Sequence, residues 1–170
     1  MKILANVIGL AAVAMFVLSY QMKTRRSIIF FNAGSRVLYV LQYILLGAFE
    51  GAVLDVSGFL VSLLAQNKDR GLLKRHPILT ALGGNLLILA MGLAVYQNVF
   101  SLLPIAGVML ETGALWMSRE KHIRFLSFFA APFWLVYNLL FAAYGSAAGN
   151  VLTIVSIALA IFRYDIRGKE

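Results

Sequence analysis

The sequence predicts an all-α membrane protein of seven transmembrane helices, ordered as three helices, one linker helix and three more in a parallel repeat. Three observations carry that expectation. The 170 residues are 61% hydrophobic and only 13% charged, whereas ordinary globular chains are about 45–50% apolar and about 25% charged. Apolar runs able to cross a hydrocarbon core of roughly 30 Å alternate with short loops, and the basic residues fall in every second loop. The chain also echoes itself when slid along its own length by about 95–98 residues.

The first apolar run covers residues 3–22, with Lys2 ahead of it and Lys23, Arg25 and Arg26 behind. Charge is heavier behind the run and no small-residue cleavage pattern closes it. A retained helix with its N-terminus outside is therefore expected, not a signal peptide. Residues 27–47 make a second crossing and 52–66 a short third, joined by the turn Gly47-Ala48-Phe49-Glu50-Gly51, which lacks Lys and Arg. The loop 67–77 carries Lys68, Arg70, Lys74 and Arg75. Residues 78–96 cross again and end at the neutral Gln97-Asn98. Residues 99–117 then return to a loop with Arg119, Lys121 and Arg124. The last runs are 125–144 and 148–162, separated by a small-residue turn at Tyr144-Gly145-Ser146-Ala147-Ala148-Gly149 and followed by Arg163, Arg167 and Lys169. Basic loops follow the first, third, fifth and seventh runs. Because such loops stay on the cytoplasmic side, the expectation is a bacterial inner-membrane protein with an external N-terminus and a cytoplasmic C-terminus. A six-helix count would put basic loops on both sides.

The net charge of +8 is spread over these loop clusters, and only Lys2 and Arg36 lie outside them. That is the pattern of cytoplasmic loops, not of a nucleic-acid face. Anionic lipid headgroups are a natural secondary partner of the clusters. The chain has no cysteine, and His76 and His122 stand alone in basic loops, so no metal, cofactor or thiol chemistry is expected. No catalytic triad, zinc motif or phosphate-cradling loop is present, and an enzyme is not expected. A homo-oligomer stays open.

Under the shift, Phe31, Ala33 and Leu38 fall on Phe128, Ala130 and Leu135, and Asp55-Val56 on Asn150-Val151. Arg70-Gly71 falls on Arg167-Gly168. The division that follows is residues 1–76 as a first three-helix unit, 77–98 as linker and 99–170 as a second unit of the same orientation, a parallel-repeat design.

The residues Leu102-Leu103-Pro104-Ile105-Ala106-Gly107, the basic loop after them, Trp134 with Asn138, and Arg163 resemble the bacterial inner-membrane YgjV family. Leu45-Leu46-Gly47-Ala48 and the short third helix agree, and the likeness covers nearly the whole chain. That family is similar to the SWEET and PQ-loop transporter superfamily. SWEET-like transporters carry a Trp-x-x-Tyr stretch and, about sixteen residues beyond the Trp, a substrate-contacting Asn. Trp134-Leu135-Val136-Tyr137 and Asn150 match that spacing, and Tyr39 and Asp55 repeat it in the first unit. The resemblance implies a small-solute transporter. The superfamily's hinge prolines are missing from the first three helices, and Tyr20-Gln21 keeps only the Gln of a PQ motif. These departures favour the alternative, a non-transporting structural or interaction protein that retains the fold.

Depth follows from the helical rise of 1.5 Å per residue, counted from the basic clusters. Trp134, Tyr137 and Asn138 then lie at or beyond mid-membrane, with Asn150 and Asp55 toward the outer third. An aromatic wall with amide and carboxylate groups suits a small polar solute, although Asn also serves as an interhelical hydrogen bond. The predicted substrate-binding set is Trp134, Asn150, Tyr39, Asp55, Tyr137 and Asn138. Arg36 and Glu111 also fall at mid-depth, where charges pair or face water, and they form the predicted intramembrane charge pair.

Overall fold

The computed structural model describes residues 2–47, 49–140 and 144–166. Ala48 of the predicted outer turn, and Arg167, Gly168 and Lys169 behind the last helix, lie outside the described residues, as does the side chain of Asn138. Within the described residues the chain is helical throughout, without strands: α1 (Lys2–Gln21), α2 (Arg25–Leu46), α3 (Phe49–Gln66), a short α4 (Gly71–Arg75), α5 (Pro77–Ala94), α6 (Leu102–Leu115), α7 (Glu120–Leu140) and α8 (Tyr144–Ala160). Five stretches are long and apolar enough to cross a membrane: Ile3–Gln21, Arg25–Leu46, Phe49–Gln66, Pro77–Ala94 and Ala147–Ile166. Val99–Leu115 is apolar but shorter.

Local chemistry sets the ends. The Thr24 hydroxyl accepts the Ser27 N–H to start α2, and Gly47 ends it at φ +72°, donating its own N–H to the Ile44 and Tyr43 carbonyls. Pro77 opens α5 at a position whose N–H needs no partner. Asn98 and Ser101 form a reciprocal cap at the 3₁₀ turn Val99–Ser101 that leads into α6. Pro132 lies inside α7, where it removes one backbone bond without ending the helix.

Several boundaries differ from expectation, and α7 begins at Glu120, inside the expected basic loop. The third crossing starts at Phe49, because Glu50 in its first turn complements the positive end of the helix dipole. The stretch 144–149, expected as a turn, is already part of α8. Gly149 lies against Val13 of α1, where an added Cβ would come within 3.2 Å of a Val13 methyl. Close approach of two helices therefore uses a glycine that the sequence pattern assigns to a turn.

Packing follows a circuit. Helix α1 packs on α2, α2 on α3, α3 on α6, α6 on α7, α7 on α8 and α8 back on α1, while α5 leans on α3 and α6 from outside. Only Gly84, Ile88 and Gly92 of α5 are buried, a single stripe at four-residue spacing. One apolar cluster joins Ile28, Ile29, Ala65, Leu115, Trp116 and Ile123, and a second joins Leu54, Val61, Ile88, Ile105 and Val108. Elsewhere the surface is apolar: Ile3, Leu10, Ile78 and Leu79 are 82%, 73%, 74% and 66% exposed. A water-soluble monomer rarely exposes so much contiguous apolar surface, whereas lipid tails are as apolar as leucine.

Candidate functional site

The polar interior is organised by Arg36 of α2, which is 2% exposed. Its Nη1 meets Asp55 Oδ1 of α3 at 2.9 Å and its Nη2 meets Glu111 Oε2 of α6 at 2.7 Å. The Nε donates to Asn32 Oδ1 at 3.3 Å, one turn earlier on the same helix face. From α1, the Tyr20 hydroxyl donates to Glu111 Oε1 at 3.3 Å. Space for the guanidinium comes from Gly58 on α3, where a Cβ would sit 2.5 Å from Nη1. Four helices thus converge on one cluster, and each of the three guanidinium nitrogens has an acceptor, which offsets the cost of burying the charge.

Arg36 and Glu111 are therefore together, and Asp55 joins them while lying within electrostatic reach of Tyr39. Tyr39 lies further along α2, stacked on Tyr43 with ring centroids 6.2 Å apart and edge-on to Phe16 at 6.5 Å. Tyr43 is within electrostatic reach of Asp55, Tyr39 and Tyr137. The Tyr137 hydroxyl of α7 reaches Glu50 Oε2 of α3 at 3.4 Å. These aromatic and acidic groups run from the Arg36 cluster toward the Gly47–Glu50 end. Trp134 packs on the second apolar cluster, edge-on to Tyr137 at 6.3 Å and above Gly107, where a Cβ would lie 2.9 Å from the indole. Asn150 is half-buried on α8, next to the Gly149 contact with α1.

The opposite end holds residues that sequence reasoning placed in solvated loops. Arg25, at the start of α2, donates to the carbonyls of Leu115 at the end of α6, of Met117 just beyond it and of Ala65 in α3, at 2.7, 2.9 and 2.7 Å. Arg124 in α7 is 2% exposed and donates to the carbonyls of Tyr20 and Met22 after α1, at 3.2 and 2.7 Å. It also pairs with Asp165 at 2.8 Å, which lies in the π-helical turn Ile161–Ile166 that continues α8. Each arginine thus closes the C-terminal carbonyls of another helix, Arg25 those of α6 and Arg124 those of α1. Helix C-termini leave four carbonyls unpaired and carry negative partial charge. A basic residue at the start of a neighbouring helix is the available signal, though it cannot be told from a loop charge without the packing. Gln21 likewise joins α1 to α8, donating to Ser156 O and Oγ at 2.7 and 2.9 Å. Among the described residues no group of three potential ligands could hold a metal.

A family profile described as a bacterial inner membrane protein, Imp-YgjV, matches residues 3–167. The chain belongs to this family. No curated protein and no solved structure matches it. With several apolar helices and a charged interior, this Imp-YgjV member is a multi-pass inner-membrane protein.

Proposed function

We propose that the protein is a small-solute transporter of SWEET-like architecture, with seven crossings and a binding site between two three-helix units. The observation that carries the reading is the Arg36 fork, buried between a carboxylate of α3 and one of α6, at a depth that the helical rise from the basic clusters puts near mid-membrane. Charges at that depth are costly and cluster along solute and ion pathways. The packing circuit supports a repeat. Exchanging α1–α3 with α6–α8 converts the α3–α6 contact into the α8–α1 contact, and leaves α5 as the linker. The reciprocal roles of Arg25 and Arg124 follow the same exchange. On this reading Tyr39, Tyr43, Tyr137 and Trp134 are the aromatic wall, Asn150 and Asp55 contact the solute, and the Arg25/Arg124 end faces the cytoplasm. No bond-making chemistry is assigned to the site.

Proteoliposome uptake of a labelled monosaccharide, a neutral amino acid and a monovalent cation tests the proposal. Wild type is expected to take up one of these, and Trp134→Ala and Asp55→Asn to lose about tenfold or more while staying folded. Absence of uptake of all three refutes it. The competing reading, a structural membrane protein without a transport cycle, draws on the closure of the same cluster. Arg36 is buried against Gly58 with each guanidinium nitrogen already bonded, which suits a static clamp.

A further inference from the structure

A cavity of about 530 Å³ opens at the Arg25/Arg124 end, away from the Arg36 cluster. Its walls are apolar, from Ile78, Ala81 and Leu82 of α5, Trp116 after α6 and Leu126 of α7. Lys68, Lys74 and the exposed Asp69 contribute its charges. Lys68 differs from an ordinary surface lysine because it is only 8% exposed. Its Nζ donates to the Trp116 carbonyl at 2.7 Å and to Ser118 Oγ at 2.9 Å. Among the described residues it forms no salt bridge. Burial, reinforced by the positive charge of Arg25, pulls the Lys68 ammonium below the usual lysine range, and Asp69 offsets this only in part. A cation held by neutral acceptors in a half-dry pocket is relieved by an anion. Two further wall groups, Trp116 Nε1 and Asn85 Oδ1, are buried without a partner among the described residues.

The mouth of the cavity continues into the outer face of α5, where Ile78, Leu82 and Leu86 form a stripe 74%, 56% and 63% exposed. Positive charge beside an apolar stripe matches an amphiphile, whereas a free phosphate ester would leave those walls wetted. We propose that this cavity binds the phosphate headgroup of an anionic phospholipid, whose acyl chains lie along Ile78, Leu82 and Leu86 of α5. Such a lipid would fill the space between α5 and the two three-helix units, whatever the protein does at Arg36.

The test is native mass spectrometry of the purified full chain, titrated with phosphatidylglycerol or phosphatidylcholine. Wild type should retain phosphatidylglycerol at least about fivefold better, the scale of one lysine at a membrane surface. Lys74→Gln, at an exposed position, should lose about fivefold in retention with its thermal midpoint unchanged, and Lys68→Gln should lose more. Lys121→Gln, an exposed lysine outside the cavity, should retain the lipid like wild type. If Lys68→Gln does not fold, Lys74→Gln combined with Leu82→Gln replaces it, and the same loss is expected. Equal retention of both lipids overturns the proposal, as does an equal loss in Lys121→Gln and Lys74→Gln, which would mean diffuse surface charge. Displacement of phosphatidylglycerol by glycerol phosphate at matched concentration would make the ligand a soluble phosphate ester and overturn the lipid assignment.

Discussion

Arg36 holds its place because a guanidinium can bond to two carboxylates at once, from two different helices. A lysine at this position would offer a point charge without the fork. Removing the cation alone should be severe: Arg36→Leu leaves Asp55 and Glu111 buried and unpaired, a loss of about 3–5 kcal/mol. The measurement is thermal unfolding of the detergent-solubilised protein, where the variant should melt well below wild type or fail to accumulate. Replacing Arg36, Asp55 and Glu111 together by Leu removes every charge, and stability should return to near the wild-type value. That triple variant also separates the two functional readings. A transporter would be folded and inactive, while a purely structural cluster would leave no phenotype beyond stability. Glu111→Gln asks the narrower question, since proton dependence of any uptake should vanish if that carboxylate carries the proton.

At the scale of the helix, two devices hold the circuit closed. The first is the pair of arginines that close foreign C-termini. Arg124→Ala leaves Asp165 and the Tyr20 and Met22 carbonyls without their donor, and a loss of about 3 kcal/mol is expected in the same melting experiment. Arg124→Lys should recover only part of it, because the fork serves three acceptors and an ammonium cannot span them in the same geometry. The second device is the α5 stripe. A Cβ at Gly92 would come 2.6 Å from Ile105 and 3.3 Å from Leu54. Gly92→Leu is therefore expected to cost about 1–3 kcal/mol by overpacking and to pry α5 from α3 and α6. Protease nicking in the 67–76 loop should accelerate, whereas Gly83→Leu, where an added Cβ meets nothing within 4 Å, should behave as wild type.

Among the described residues Arg25, Lys68 and Arg124 meet the helix ends on one side of the molecule. The contacts of Arg25 with Ala65 and Met117, of Lys68 with Trp116 and of Arg124 with Tyr20 and Met22 bring those helix ends together. The positive-inside rule predicts that this end faces the cytoplasm. The absence of cysteine makes the orientation easy to measure. Gln97→Cys, at an exposed position on the other end, should react with a membrane-impermeant maleimide in intact spheroplasts. Lys121→Cys should react only after permeabilisation. The reverse pattern would invert the orientation, and labelling of both in intact cells would refute a crossing arrangement.

The sequence by itself determined the membrane class, the alternation of basic and neutral loops and Arg36 with Glu111 as a charge pair, because hydropathy and charge spacing act along the chain. The same reasoning did not bring Asp55 into that pair. Arg25, Lys68 and Arg124 read as loop charges along the chain, and the stretch 144–149 as a turn. Tertiary structure decided each of these differently, because a side chain's partner depends on which helix lies beside it. Asp55 faces Arg36 only since α2 and α3 pack with Gly58 at the crossing. Arg124 meets Tyr20 O only since α7 passes the end of α1. A charge is legible in one dimension, but its neutralisation by a helix about a hundred residues away is settled by packing.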